Sequence, residues 1–239
     1  MIIFTVRNLL TVRTERGRRM IEYIIEKFDY DAEWRYKRAV FIRFCVSLLL
    51  LLLFLFSFNM EWQENRPITG YYNEYISVHG TAVQSDIRTL DKTLEILPEW
   101  LVESHRESGR IFLQSEEFPP SDFTEVGEKY RTVGTFTGSN DRITILILEN
   151  KDEMGETLIH EYGHYLDSLF LCTESTGFKG IYQEEKEKYF DKVEKSSYHI
   201  SCASEYFAGA FTMYFTHKRA LKKYCPYTYE YLKTMIERN

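Results

Sequence analysis

The most strongly apolar stretch of the chain is Phe44–Phe58, which contains 15 residues without a charged side chain. Extending it back to Ala39 gives 20 residues interrupted only by Arg43. About 20 apolar residues cross a bilayer as a helix, and an arginine near one end can extend to the headgroups. A buried core helix is disfavoured because the run is apolar on every face. The pattern therefore predicts a transmembrane anchor or signal segment over residues 39–58.

The charges around this segment predict its orientation. Four basic residues lie within 35–43, whereas two glutamates follow the run within 61–66. Because basic flanks stay inside the cell, we expect residues 1–38 to be a basic cytoplasmic segment and the rest of the chain to be outside. No small-residue cleavage site follows the run, which favours an uncleaved single-pass anchor in the cell membrane; secretion after signal cleavage is the alternative. An arginine-rich stretch directly before Met20 leaves open a start of translation there.

Helical periodicity appears in two later regions. Residues 59–80 are polar with scattered aromatic side chains and are predicted to be a linker. From Val83 to Arg106, apolar residues recur at helical spacing, and Pro98 is expected to kink or restart that helix. From Glu153 onward the pattern is helical again, so we expect a folded domain over residues 81–239.

The region between these helices has the features of β-structure. Arg110–Gln114 is a short strand candidate, and Glu116–Gly127 is predicted to be a loop because it contains two consecutive prolines. Tyr130–Thr137 and Arg142–Leu148 flank a Gly-Ser-Asn-Asp sequence and predict a hairpin. Isoleucines alternate with threonine and leucine in the second strand, which indicates burial on both faces.

Charge distribution narrows the class of partner. Residues 1–58 contain 10 Lys/Arg and 6 Asp/Glu, a net of +4, whereas residues 59–239 contain 20 Lys/Arg and 30 Asp/Glu, a net of -10. Nucleic-acid-binding domains present a basic face, so the acidic part of the chain argues against a nucleic-acid partner. The acidic charge is compatible with a cationic peptide substrate but does not establish one.

The cysteines do not form a recognisable metal or disulfide pattern. Cys45 lies in the apolar run, and Cys172, Cys202 and Cys225 contain no CxxC pair. A disulfide between Cys172 and Cys202 outside the cell is left open beside the alternative of buried thiols.

Residues 160–164 read His-Glu-Tyr-Gly-His, an HExxH motif. On a helix, His160 and His164 project from one face, where both imidazoles reach one zinc ion. Glu161 then points toward the same site and is a candidate general base. Gly163 costs roughly 1 kcal/mol against alanine inside a helix, which suggests that another element packs closely there.

The class of metal site depends on the third ligand. The metzincin pattern requires glycine and then His or Asp at the positions of Asp167 and Phe170, so that class is excluded. Most downstream carboxylates lie in Gln183–Lys195, whose charge pattern is typical of a solvated helical face. Glu205 differs because it lies among small and aromatic residues, where a carboxylate is costly unless it is paired or bound to metal. We therefore consider Glu205 the candidate third ligand, on a helix that could approach the HExxH helix closely.

Several polar residues near this motif have alternative interpretations. Ser201 or Ser204 is a candidate N-cap of the helix that carries Glu205. Asp167 is either an acceptor behind a ligand histidine or a surface charge. Tyr198 could donate to a developing oxyanion, although spacing alone does not distinguish it from an ordinary core tyrosine. His199 could be a ligand or a substrate contact, but a loop histidine is usually neither.

These residues together resemble a known family. HEYGHYLD, a tyrosine seven residues before SEYFA, and the terminal KKYCPYTYEYL are similar to the catalytic domain of anthrax lethal factor and its relatives, which include the secreted Pro-Pro endopeptidases. The resemblance covers about residues 80–239. It implies an α+β, zincin-like metallopeptidase domain with a small twisted sheet, the HExxH helix and C-terminal helices.

The resemblance also implies roles for individual residues. His160, His164 and Glu205 would bind one Zn²⁺ per chain, Glu161 would be the general base, and Tyr198 would stabilise the transition state. The strand ending in Leu146, Ile147 and Leu148 would line the cleft and pair with an extended substrate. The family commonly has a second glutamate four residues after the ligand glutamate, where this chain has Gly209.

The sequence thus predicts a membrane-tethered zinc metalloendopeptidase that hydrolyses an extracellular or secreted protein or peptide. One alternative is a weak or inactive binding module on the same fold, which Gly209 supports. A deformylase-type hydrolase is disfavoured because its cysteine ligand would lie upstream, and no cysteine occurs between residues 46 and 171. A membrane-interaction protein without metal is the remaining alternative.

Overall fold

The computed structural model describes residues 15–116, 132–194 and 196–237, and its contacts divide the chain into two units, Met1–Glu61 and Trp62–Asn239. The first unit is dominated by helix α1, Glu15–Glu64. Within it, Tyr30–Met60 is long and apolar enough to cross a membrane, and a signal sequence near an N-terminus has the same properties. The predicted segment 39–58 lies inside this helix, and its side chains are exposed.

The second unit contains a five-stranded mixed sheet. The strands lie in the order β1-β2-β3-β5-β4, with β1–β2 and β5–β4 antiparallel and the two central pairs parallel. Their bounds are β1 Pro67–Tyr71, β2 Ile76–Val83, β3 Arg110–Gln114, β4 Gly134–Thr137 and β5 Arg142–Leu146. The mixed α+β architecture predicted from the sequence is therefore present.

The first two strands differ from the sequence prediction. Residues 59–80 were expected to be a linker, whereas β1 and most of β2 lie within them and join the sheet. The linker prediction is wrong here because Ile76 and Val78 are core residues, with 1% and 3% of their surface exposed. Their alternation with polar residues is too short to predict a strand from the sequence. The strand forms because β3 pairs beside these residues.

Two helices connect β2 to its parallel neighbour β3. They are α2, Gln84–Ile96, and α3, Glu99–Ser108. Pro98 separates them because its ring fixes an extended backbone and removes a helical donor. The predicted interruption at Pro98 is confirmed, as is the short strand Arg110–Gln114.

The predicted hairpin is also confirmed within the described residues. β4 and β5 flank the turn, and Asp141 takes a positive φ of 46° there. Ile143, Thr144 and Ile145 are 0%, 3% and 0% exposed, so β5 is buried on both faces as expected. The predicted loop 116–127, beyond its first residue, and the start of the hairpin at Tyr130 lie outside the described residues.

The C-terminal part of the chain consists of helices packed on this sheet. They are α4 Lys151–Phe170, α5 Thr176–Lys192, α6 Ala203–Thr216, α7 Lys218–Tyr224 and α8 Pro226–Glu237. Buried aromatic side chains of α4, α5 and α6 fill the core, among them Tyr162, Phe178 and Phe207. Cys172 is buried and Cys202 is exposed, and both are free thiols.

The charged run in α5 is only partly the solvated face that its composition predicts. Glu185 is fully buried, and its carboxylate accepts hydrogen bonds from the backbone N–H of Tyr227 at 3.1 Å and of Thr228 at 2.9 Å. The Thr228 hydroxyl also donates to it, at 2.8 Å. Glu185 therefore satisfies the free N–H groups at the start of α8, as an N-cap side chain does.

Candidate metal centre

Asn150 caps the start of helix α4, because its side chain accepts hydrogen bonds from the backbone N–H groups of Asp152 and Glu153. One turn separates His160 from His164 on this helix, and their ring centroids lie 4.9 Å apart. The HExxH residues therefore share one helix, and both histidines project from the same face, as the sequence predicts.

Glu205, in the first turn of α6, lies opposite these histidines. Its Oε2 is 3.1 Å from Nε2 of His160 and 3.5 Å from Nε2 of His164. Within the described residues, these three side chains form the only group of three or more His, Cys, Asp or Glu residues whose possible ligand atoms lie within 4.8 Å of one another. The structure thus brings together the three residues predicted as ligands.

A glycine allows the two helices to come this close. A Cβ atom on Gly163 would lie 2.7 Å from Cα of Ala208 on α6, which is shorter than any ordinary contact. The close packing expected at Gly163 is therefore found, and small residues on both helices set the distance between the histidines and Glu205.

The His164 ring is oriented by polar residues behind it. Its Nδ1 lies 3.2 Å from Oγ of Ser204, which in turn donates to Asp167 at 3.5 Å. Asp167 also accepts from the backbone N–H and the hydroxyl of Thr173, at 2.8 and 2.7 Å. A proton on Nδ1 leaves Nε2 of His164 free to bind a metal. Of the two interpretations predicted for Asp167, the structure therefore agrees with an acceptor behind a histidine.

The predicted N-cap of α6 is wrong. Cys202 occupies the N-cap position without a side-chain hydrogen bond, and Ser204 lies inside the helix. Ser204 faces His164 and Asp167, so its hydroxyl is used by the site and not by the helix end.

Glu161 is buried between α4 and the hairpin, with 5% of its surface exposed. The backbone N–H of Phe136 donates to its carboxylate. A Cβ on Gly134 would lie 2.7 Å from its Oε1, so only glycine leaves room for the carboxylate. Sequence reasoning missed Gly134; its one signal is a glycine within a predicted strand, which indicates a close approach.

Burial and mutual repulsion determine the ionisation of the two carboxyl groups. Burial, together with the nearby Glu205, raises the pKa of Glu161 to about 8, although His164 and the Phe136 N–H act to lower it. Burial also acts to raise the pKa of Glu205, but its hydrogen bonds with His160 and His164 outweigh this and hold it well below the usual range. A bound cation would relieve the repulsion between the two carboxylates.

The pKa values of His160 and His164 are shifted in opposite directions. Burial lowers the pKa of His160 despite its contact with Glu205. Burial acts in the same sense on His164, but its hydrogen bond with Glu205 and the charge of Glu161 raise its pKa overall.

Tyr198 and His199 lie in a 3₁₀ turn, Tyr198–Ile200, directly before α6. The Tyr198 hydroxyl donates to Glu205, and burial together with this carboxylate raises the pKa of Tyr198. Its ring, 39% exposed, lies 6.5 Å from that of His160. The His199 ring stacks on His160 at 5.0 Å. The sequence did not predict this contact.

The predicted substrate strand does not have the expected position. β5 lies between β3 and β4, so both of its edges are already paired. Leu146 and Leu148 are 1% and 6% exposed and belong to the core, and the backbone N–H of Ile147 bonds Gln114. An added strand therefore cannot pair with β5, Arg142–Leu146. Among the described strands, β4 is the edge strand on this side.

The residues of the site fit a zinc ion. Two imidazole nitrogens and one carboxylate oxygen are one of the ligand sets of catalytic zinc sites, which keep one position open. Ligands about 2.05 Å from a tetrahedral ion lie about 3.3 Å apart, and the two N···O distances of the site, 3.1 and 3.5 Å, bracket that value.

Comparison with known proteins identifies a sequence family and a similar fold. The family model "Anthrax toxin lethal factor, N- and C-terminal domain" matches residues 114–235. The Pro-Pro endopeptidase PPEP-2 from Paenibacillus alvei has a similar structure, with a TM-score of 0.51 and 18% sequence identity, covering 68% of this chain and 96% of that one. No curated protein matches the chain. At this identity the structural likeness shows a shared fold, and it agrees with the α+β architecture described above.

Proposed function

Because the chain belongs to the anthrax toxin lethal factor family, we propose that it is a zinc-dependent endopeptidase. The matched residues include the HExxH helix and Glu205. The observation that carries the proposal is the convergence of three ligand atoms beside a buried carboxyl group and the edge of a strand. In this proposal His160, His164 and Glu205 hold one Zn²⁺ per chain.

Glu161 is proposed as the general base. A bound zinc ion supplies Lewis acidity that polarises a carbonyl group and makes water more acidic. Glu161 accepts a proton from water at its carboxylate and delivers it to the leaving nitrogen of the cleaved peptide. The Phe136 N–H fixes the position of this carboxylate.

Tyr198 is proposed to stabilise the oxyanion. Its hydroxyl already lies within hydrogen-bonding reach of Glu205, one of the three ligands. Because burial keeps the phenol protonated, it can donate a hydrogen bond to negative charge that develops on the substrate oxygen.

The edge of β4 is proposed to hold the substrate backbone. The Val133 carbonyl accepts from Leu146 of β5, and the alternation of an antiparallel pair then turns the backbone groups of Gly134 and Phe136 away from β5. The Phe136 N–H indeed bonds Glu161. An extended peptide added along this edge would pass the proposed base, a β-augmentation mode of binding.

The location of the enzyme is also a proposal. The apolar helix and the basic residues before it support an anchor over residues 39–58, with the peptidase domain outside the cell. In that arrangement the substrate is an extracellular or secreted protein.

Metal analysis combined with peptide cleavage tests the function. The full chain, purified in detergent micelles, is expected to contain one zinc per chain and to cleave members of a diverse peptide library that includes Pro-Pro sequences. A chelator should stop cleavage, and added zinc should restore it. Glu161→Gln should retain zinc while losing roughly 10²–10⁴-fold in rate. Glu153→Gln, which alters an exposed carboxylate of the same helix, is the matched control.

Two outcomes would contradict the proposal. Cleavage at the wild-type rate by Glu161→Gln would refute the role of Glu161, and a chain without zinc would refute the metal centre. Bound zinc with no cleavage of any library member would favour the inactive binding module.

A further inference from the structure

The imidazole of His199 covers the His160 ring. Their centroids are 5.0 Å apart and their planes differ by 27°, so the two rings are stacked. By contrast, the ring of His164 meets His160 edge-on, at 80°. Stacking constrains rotation of the His160 ring about its side-chain bonds, and this rotation determines where Nε2 points.

His199 is itself in contact with a side chain just beyond the end of α5. Its Nδ1 lies 2.8 Å from Oε2 of Glu194. The same Glu194 oxygen accepts a hydrogen bond from the Tyr189 hydroxyl at 3.0 Å. Tyr189 is fully buried in α5, so this row of contacts connects the rigid core to the ring above His160.

The space that His199 occupies exists because residue 209 is glycine. A Cβ on Gly209 would lie 3.0 Å from Cγ of His199 and 3.1 Å from Oη of Tyr189. Gly209 lies one helical turn after Glu205 on α6. A larger residue would therefore push both His199 and Tyr189 away from the metal-binding face of α6.

The two predicted histidine ligands thus have different kinds of support. His164 is oriented by hydrogen bonds through Ser204 to Asp167. His160 instead lies against the stacked ring of His199, whose Nδ1 is 2.8 Å from Glu194. Groups that orient ligand histidines typically contribute about 10–100-fold to metal affinity.

We infer that His199, anchored by Glu194 and Tyr189 and accommodated by Gly209, is a positioning residue that holds the His160 ring in its metal-binding orientation. The inference rests on the proposed function, because it takes His160 as a zinc ligand. It also explains how the site retains order although residue 209 carries no side chain. Since Tyr198 precedes His199 in the same 3₁₀ turn, the same contacts fix the turn that presents the Tyr198 hydroxyl to Glu205.

A fourth-ligand role is the competing explanation for His199. The group of converging ligand atoms within the described residues comprises His160, His164 and Glu205, without His199. Nδ1 of His199 lies within ion-pair distance of Glu194, at 2.8 Å. A positioning residue and a ligand also differ in what their loss does to zinc binding, which makes the two roles separable.

The first test is independent of metal and of turnover. The chain has six histidines, so the ring protons of a histidine-labelled, metal-free full chain in micelles can be resolved by NMR and assigned by substitution. His199→Ala should shift the His160 ring signals, because the ring current of the stacked imidazole is lost. Signals of the exposed His79 on β2 should not move. Unchanged His160 signals in this variant would refute the inference.

The second test measures zinc affinity by competition with a chromophoric chelator. His199→Ala should bind zinc about 10–100-fold more weakly than wild type, whereas His199→Phe, which keeps an aromatic ring in the stack, should recover most of this loss. Glu194→Gln should weaken binding less than His199→Ala. His79→Ala is the control and should match wild type. If His199→Ala does not fold, His199→Leu replaces it as the non-aromatic variant of similar volume.

The outcomes separate the inference from the proposed function. Wild-type affinity in the folded non-aromatic variant would overturn the inference, and complete loss of stoichiometric zinc would instead make His199 a ligand. Equal weakening by His199→Phe and His199→Ala would overturn the stacking role. A wild-type chain that binds no zinc refutes the proposed function, whereas the NMR result decides the contact between His199 and His160 in either case.

Discussion

Replacing Gly163 by alanine should separate the two helices that carry the candidate ligands. The new Cβ would lie 2.7 Å from Cα and 3.2 Å from Cβ of Ala208, and the nearer of these atoms is backbone that cannot rotate away. An ordinary carbon contact is about 3.5–4.0 Å, so α4 and α6 must move apart by about 1 Å. The distances from Glu205 to the two histidines would increase with them.

The energetic cost can be set against a matched glycine. Alanine in a helix gains about 0.5–1 kcal/mol over glycine, and at Gly180 in α5 nothing lies within 4 Å of an added Cβ. Gly180→Ala should therefore stabilise the protein by roughly that amount. At Gly163 the same gain is opposed by overpacking, which typically costs about 1–3 kcal/mol. We expect Gly163→Ala to be about 2 kcal/mol less stable than Gly180→Ala.

Urea unfolding of the full chain in micelles, followed by tryptophan fluorescence, measures this difference, and chelator competition measures zinc affinity. Gly163→Ala should bind zinc more weakly, whereas Gly180→Ala should bind it as wild type does. If both variants gain stability equally and keep the same zinc affinity, Gly163 does not set the distance between the helices, and the account of the site is wrong.

Three further predictions concern single features of the structure. Gly134→Ala should lower the cleavage rate about 10–100-fold without comparable loss of bound zinc, because its Cβ displaces the Glu161 carboxylate. Gly138→Ala is the control, since its Cβ would meet only a ring edge at 3.6 Å, and it should cleave at the wild-type rate in the same kinetic assay. Glu185→Gln should lower the free energy of unfolding by about 1–3 kcal/mol, because an amide cannot accept a hydrogen bond from every donor at the start of α8. An equal loss of stability in Glu187→Gln, at an exposed position of α5, would contradict this. Burial lowers the pKa of His105 from 6.5 to about 4. The unfolded chain therefore binds the proton first, and stability should fall by up to about 3 kcal/mol as pH drops from 6.5 to 4. Urea titrations between pH 6.5 and 4 should show that the free energy of unfolding of His105→Phe changes less with pH than that of wild type. An unchanged pH dependence would refute the attribution of this loss of stability to His105.

Local signals in the sequence were sufficient for elements whose determinants are close together along the chain. Pro98 interrupts a helical pattern, and the structure has separate helices on either side of it. The HExxH spacing itself places His160 and His164 on one face. In these cases the covalent chemistry of a few neighbouring residues fixes the backbone, and tertiary contacts do not override it.

The position of each strand within the sheet could not be predicted from such local signals. The buried strand predicted over residues 142–148 is found at Arg142–Leu146, but whether a strand is central or at an edge depends on what pairs beside it. β3, more than 25 residues earlier in the chain, occupies the edge of β5 that was expected to bind substrate. β4 was predicted only as the other half of the hairpin, yet it presents the outer edge and the glycine that contacts Glu161.

The burial of individual charged residues could not be predicted from the sequence either. Glu185 and Glu194 lie in one run of mixed charges, and nothing in the run distinguishes them from their exposed neighbours. Burial of Glu185 is tolerated because three donors near the start of α8 satisfy it, and α8 begins 41 residues later. Glu194 is retained beside the site because the Tyr189 hydroxyl donates to it and Nδ1 of His199 lies 2.8 Å from it. From sequence, Gly209 indicated a lost contact, since the family commonly has a glutamate there. In the structure the missing side chain is the space that His199 fills, so the same residue supports an ordered site.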